Sequence, residues 1–163
     1  MSDKTNYYAW LDDGSWIRVS ARAIIFDQAR NRVLVERNGL AENAYFNFIG
    51  GAVEIEETLQ ECIARELEEE TDAIITAARY LFVIENFISH KAQVRHSLEH
   101  YFEIELAGET VAPTTAGVEF RWIAIDELRK IDLRPAVVRD SIVDGTYART
   151  RHMILRKNKK VER

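Results

Sequence analysis

Three glutamates, Glu66, Glu69 and Glu70, stand at spacings that bring their carboxylates together on one side of a helix. On a wheel of about 100° per residue with Glu66 at zero, Glu70 falls near 40° and Glu69 near 300°. Leu59 and Ile63 fall near 20° and 60°, so the acids continue the apolar stripe instead of opposing it. Converging carboxylates repel, by a few tenths of a kcal/mol per exposed pair and more when partly buried. A hard divalent cation offsets this: Mg²⁺ takes octahedral oxygen ligands from a few carboxylates, waters and substrate phosphates. It can also polarise a phosphoryl oxygen and acidify a bound water. The same spacing suits a solvated, glutamate-rich helix face, so spacing alone leaves both readings open.

The elements that must position these acids are legible around them. Thr58 to about Thr71 is predicted as a helix, opened by a capping box of Thr58 and Glu61 and filled with good helix formers. Ile17–Phe26 alternates and then turns wholly apolar, as a strand entering a core does; polar residues 27–31 then lead to a second strand, Arg32–Glu36, as a hairpin. Ala44–Ile49 reads as short and extended, broken by Gly50-Gly51. Ala78–Phe87 and His96–Leu106 read as long strands joined by a polar connection, and Phe120–Ile125 as another. Asp126–Lys130 is a short helical turn, and Pro135 opens a closing helix that ends near Gly145. The order strands, helix, strands, helix gives an α+β fold or mixed-sheet sandwich.

From Gly51 the sequence runs five residues to Glu57 and seven more to Arg65-Glu66-Leu67-Glu68-Glu69-Glu70. This resembles the Nudix box, GX5EX7REUXEEXGU, and Gly50 and Glu54 extend the match towards Gly-Gly-x-Val-Glu. The resemblance covers about 23 residues and implies an α/β/α sandwich with a mixed sheet and a catalytic loop-helix-loop. It implies Mg²⁺ or Mn²⁺ held by Glu66 and Glu70, with Glu69 a third ligand or the holder of the attacking water. The Gly50 carbonyl is expected to complete the metal shell from the loop. Arg65 and Glu57 resemble the ion pair that orients the loop and the catalytic glutamates. Glu119 sits where a later loop acid serves as general base in this family, and a surface turn residue is its alternative reading.

Four residues depart from the box and its flanks. Asp72 and Ala73 replace the terminal Gly-aliphatic pair, Ile49 replaces a common proline, and Glu56 replaces a common glycine. None removes a carboxylate. Asp72 is expected in the left-handed conformation that stops the helix, at a cost near 1 kcal/mol, so Asp72→Gly should raise the melting temperature.

The resemblance implies hydrolysis of a nucleoside diphosphate linked to another moiety, X. No proline lies between Ala73 and Val111, no tyrosine falls at the offset that marks dinucleoside polyphosphate enzymes, and the SQPWPFPxS run of NADH-type members is absent. The segment Leu81–Asn86 leans the expectation towards ADP-ribose or nucleotide-sugar substrates. The alternatives are an (oxidised) nucleoside triphosphate pyrophosphohydrolase and a non-catalytic nucleotide-binding sensor of the same fold. The retained carboxylates, and the lack of room for a helix-turn-helix domain, speak against the sensor. An RNA-end processing enzyme recruited through the C-terminal tail is a further option. His96 and His100 share a strand face and are read as packing or substrate-contacting residues, not a zinc pair. Trp10, Trp16, Tyr45 and Phe46 are read as core or interface aromatics that could also stack on a base.

The chain has 163 residues, 47% apolar and 30% charged, read as a single domain with an extension at 1–15 and a basic tail at 149–163. The tail holds seven bases and one acid, leaving 15 bases against 26 acids elsewhere, a body charge of −11. An acidic body binds phosphates poorly unless cations intervene, so a small nucleotide, and not nucleic acid, is the expected partner; the tail is read as a solvated, partly frayed terminus. No apolar stretch suits a membrane span or signal peptide, and the lone Cys62 fits a reducing cytoplasmic setting. Family members are often dimers, and nothing in the sequence fixes a homodimer interface.

Overall fold

A computed structural model describes residues 9–10, 12, 14–38, 44–90, 93–114, 116–149 and 151–157. The strands are β1 (Ala9–Trp10), β2 (Trp16–Ile25), β3 (Arg32–Asn38), β4 (Tyr45–Asn47), β5 (Ile75–His90), β6 (Gln93–Leu106), β7 (Glu119–Ala124), β8 (Leu133–Arg134) and β9 (His152–Lys157). The helices are α1 (Leu59–Glu70) and α2 (Ala136–Val143), with a 3-10 turn at Ile125–Lys130. One sheet has the order β1-β2-β6-β5-β9 and the other β7-β3-β4-β8, each mixing parallel and antiparallel pairs.

Alternation within β2 and β3 builds an α/β/α sandwich. Ala21, Ala23 and Ile25 of β2 and Leu34 of β3 pack with Cys62, Ile63 and Leu67 of α1. Ile24, Val33 and Val35 point the other way, into a cluster with Phe82, Ile84, Tyr101 and Val138 and Ile142 of α2. Side chains on successive strand residues face opposite sides, so two strands supply both cores. Among the described residues, no helix is long and apolar enough to cross a membrane.

Four expectations are corrected. β2 and β3 do not form a hairpin: after the Phe26–Val33 bridge they part into different sheets. The Asp27 carboxylate folds the turn sharply by accepting from the Asn31 and Arg32 amides at 2.7 and 2.9 Å and from Arg32 Nε at 2.8 Å. β5 and β6 extend to His90 and Gln93, absorbing much of the polar connection expected at 88–95, because exposed strands tolerate polar residues on their open face. Within the basic tail, His152–Lys157 is not frayed but pairs in parallel with Val83–Ile88 of β5, burying part of Met153 and Leu155. The remainder of the tail, 158–163, and most of the 1–15 extension lie outside the described residues.

The end of α1 is the fourth. Thr71 closes the helix in an extended conformation, its amide and hydroxyl both donating to the Leu67 carbonyl. Thr114 caps the last carbonyls, its amide donating to Glu70 and its hydroxyl to Glu69. Asp72 is not left-handed; its carboxylate accepts from the Ala112 amide at 2.7 Å. The left-handed departure is Glu56, with φ of 67°.

Candidate active site

The loop between β4 and α1 is stitched along β2. Ala23, Ala21 and Val53 amides donate to the Ile49, Gly51 and Val19 carbonyls at 2.8, 3.0 and 3.0 Å. Gly50 has φ of +134°, and a Cβ there would overlap the Ala21 carbonyl oxygen. A Cβ on Gly51 would overlap the Glu66 carboxylate. The two glycines thus let a backbone strand pass between β2 and the carboxylates of α1.

Arg65 fastens this loop to the helix. Its Nε and Nη2 donate to Glu57 at 2.7 and 3.0 Å, a bidentate pair, and Nη2 also reaches the Ala52 carbonyl at 3.1 Å. Its Nη1 donates to Glu66 at 2.9 Å and stands 3.6 Å from Glu69. Glu57 in turn accepts from the Glu54 amide. Arg65 holds the Glu57 carboxyl below the usual range, and Glu57 raises the guanidinium. The expected Arg65–Glu57 pair is therefore present in this geometry.

The three helix acids differ in environment. Glu66 keeps 15% of its side-chain exposure against Gly51, while Glu69 keeps 60%. Glu70 has a buried Oε2 with no hydrogen-bond partner among the described residues, and its carboxyl is pushed up to about 7 by burial and by the Glu36 and Glu66 charges. Glu36 is itself raised, by burial first and then by Glu66. Glu36 was not singled out from the sequence; its signal is that an acid ends the apolar run of β3 on the same strand face as Leu34. Arg22 is the other missed residue. Its Nη1 donates to the Gly50 carbonyl and to Phe48 at 3.3 Å, and its charge acts on Glu36 and Glu70.

The Gly50 carbonyl, expected to face a metal, thus faces Arg22. Among the described residues no three His, Cys, Asp or Glu side chains stand at ligand geometry. The donor set nonetheless suits a hard cation: oxygen atoms only, crowded, and one of them buried without a partner. Glu119 opens β7 and is held by Arg37 at 2.8 Å and Arg121 at 2.6 Å, which keep its carboxyl below the usual range. His96 stacks on Phe87 at 4.1 Å, and His100 meets the Tyr80 hydroxyl at 3.1 Å. Phe46 is core, Trp16 carries Arg18 at 5.7 Å, and the Trp10 side chain lies outside the described residues.

A cleft of about 700 Å³ opens between β2, β5, β6 and β9 on one side and β4, β8 and the start of α2 on the other. Arg18, Arg22 and Arg134 line it with Tyr45, Phe48, Glu99 and Tyr101. Arg22 joins cleft to carboxylates: it lines the first, and its charge acts on Glu36 and Glu70 of the second.

A family model described as the NUDIX domain matches residues 16–142. The NAD-capped RNA hydrolase NudC of Stutzerimonas stutzeri is 28% identical over 123 residues, 75% of this chain and 42% of that protein. NudC of Vibrio cholerae is 26% identical over 80% of this chain and 46% of its own. The chain spans less than half the length of the curated relatives it matches. Among solved structures, a MutT protein from Bacillus halodurans has a TM-score of 0.63 at 16% identity, covering 77% of this chain and 79% of that one, which is a likeness of fold. The match takes in the Gly50-Gly51 loop, all of α1 and the strands that frame them, and by it the chain belongs to the Nudix family.

Proposed function

We propose that this chain hydrolyses the phosphoanhydride of a nucleoside diphosphate linked to X, with ADP-ribose or a nucleotide sugar as the favoured substrate class. One observation carries the reading: a buried, unpartnered Glu70 oxygen inside a field of other carboxylates. Burying such charge without compensation is costly, so the site is built for a cation. Glu66 and Glu70, with Glu36 beside them, would hold Mg²⁺ or Mn²⁺. Bound there, the ion supplies a Lewis acid for the phosphoryl oxygen and acidifies a water.

The chain's own residues do the rest. Arg65 and Glu57 fix the loop and turn Glu66 inward. Arg22, between cleft and loop, is placed to meet a substrate phosphate. Glu69, the most exposed of the three helix acids, is the group we assign to hold the attacking water. Glu119 stays in the proposal as an alternative base, although two arginines oppose its taking a proton. The intact carboxylates weigh against the non-catalytic sensor, and oxidised nucleoside triphosphates remain the competing small substrates. The name of the NudC relatives adds a second reading, a nucleotide at the end of an RNA. A cytoplasmic setting and a homodimer belong to the same proposal.

The test is a panel of ADP-ribose, nucleotide sugars, nucleoside triphosphates and NAD-capped RNA with Mg²⁺ or Mn²⁺. The wild type should turn over at least one diphosphate-linked substrate, and Glu70→Gln should lose it. Undiminished turnover by Glu70→Gln would defeat the assignment.

A further inference from the structure

Glu99 is a cleft carboxylate that the hydrolytic site does not use. It lies on β6 on the same face as Tyr101, whose buried ring stacks on Phe82 at 5.0 Å and meets the edge of Phe48 at 5.6 Å. The Tyr101 hydroxyl donates to Glu99 Oε2 at 3.1 Å. Ser97 Oγ and Asn86 Nδ2 donate to Oε1 at 2.9 and 3.2 Å. A carboxylate offers roughly four acceptor sites. Three are filled from below and beside, which fixes the group and leaves Oε2 one further acceptor site. Asn86, also on the cleft wall, has a carbonyl oxygen to set next to it.

Glu99 gives the buried Tyr101 hydroxyl its partner, and the polarity extends beyond that need. Glu99's register neighbour Ser20 is fully buried, and its hydroxyl has no hydrogen-bond partner among the described residues. An apolar residue in place of Ser20 would hold the sandwich at least as well. Polar groups held in fixed positions on a cleft wall are the usual means of orienting a ligand. The cleft's volume, about 700 Å³, is in the range for one nucleotide. Tyr45, with the Arg134 guanidinium 4.2 Å above its ring, gives the cleft an aromatic wall.

We propose that Glu99, with Asn86, is a specificity-determining residue that reads the amino-bearing edge of a purine base seated in the cleft, leaving the diphosphate to run past Arg22 to the carboxylates. The proposal rests on the hydrolase reading for the direction of the phosphates. Its discrimination against uracil follows from hydrogen-bond chemistry, and the size of the cleft favours the larger bases. A carboxylate accepts from the exocyclic amine of adenine or guanine, as acceptors do with such amines elsewhere. Uracil offers a single N–H flanked by two carbonyl oxygens, which a carboxylate repels.

The experiment measures AMP, GMP and UMP binding by calorimetry, beside Mg²⁺-dependent turnover of ADP-ribose and UDP-glucose. The wild type should bind AMP or GMP at least about tenfold more tightly than UMP. In Glu99→Gln that ratio should fall to about twofold with the melting temperature unchanged, and Asn86→Ala should lower it in part. Equal weakening of all three ligands by Glu99→Gln, or no purine preference in the wild type, overturns the proposal. A purine preference that depends on Glu99 in a protein that turns over neither substrate supports the base assignment and overturns the ADP-ribose or nucleotide-sugar reading instead.

Discussion

Gly51 and Glu66 interlock: the Glu66 carboxylate lies where a Cβ on residue 51 would be. The obstructed atoms are the far end of a flexible side chain, so Gly51→Ala should rotate Glu66 away at little cost to the fold. Activity should fall about 10- to 100-fold, the range for a lost supporting contact at a metal site, with the melting temperature within about 2 °C of wild type. Gly50→Ala meets the Ala21 backbone instead, at a φ that L-residues avoid, and should lower the melting temperature by several degrees. Paired melting curves and rates check both; equal melting losses would break the distinction.

Arg65→Lys should be far from conservative. Lysine cannot make the bidentate pair with Glu57 while also reaching Ala52 and Glu66. Glu57, 11% exposed, would lose its main partner, at a cost of about 1–3 kcal/mol. Chemical denaturation should show that loss, together with at least a tenfold drop in kcat. A lysine variant with wild-type kcat would show that the loop needs no such clamp.

The raised Glu70 carboxyl gives a pH signature. Its pKa rises from an ordinary 4.5 to about 7, so its stabilising effect on the metal-free fold is fully present below pH 4.5 and is lost as pH rises through 7. Other acids, such as Asp27 and Glu103, are shifted the opposite way, and comparison with Glu70→Gln cancels them. In EDTA, the melting advantage of Glu70→Gln over wild type should therefore grow between pH 5 and pH 8. Cation binding must expel the proton, so wild-type activity at subsaturating Mg²⁺ should climb over pH 6 to 8. A melting difference independent of pH would contradict the burial of Glu70.

Glu56 holds a left-handed conformation, and Asp72 does not. Glu56→Gly should relieve about 1 kcal/mol of strain and raise the melting temperature by roughly 2–4 °C, less a part for the added chain entropy. Asp72→Gly should lower it, because the contact with the Ala112 amide goes. Calorimetry on the two variants decides which position carries the strain.

The contrast between those two residues shows what the sequence could convey. Signals that are local in the chain were legible: the Thr58–Glu61 capping box, the helical stripe that turns Glu66 and Glu70 inward, and the Arg65–Glu57 spacing. Helix termination was not, because Thr114, 43 residues beyond Thr71, caps α1 through space. Glu36 and Arg22 were missed for the same reason. Each sits in an ordinary strand pattern and acquires its role only when β2 and β3 bring it to the loop. β9 lay hidden within a run of basic residues, since edge strands carry charge readily and its pairing with β5 is long-range.

Calorimetric titration of Mn²⁺ into the wild type and Glu70→Gln at pH 8 tests the cation site most directly. The wild type should bind the ion with proton release, and the variant should bind at least about tenfold more weakly. Equal affinities, or no binding by the wild type, would contradict the carboxylate site on which the account stands.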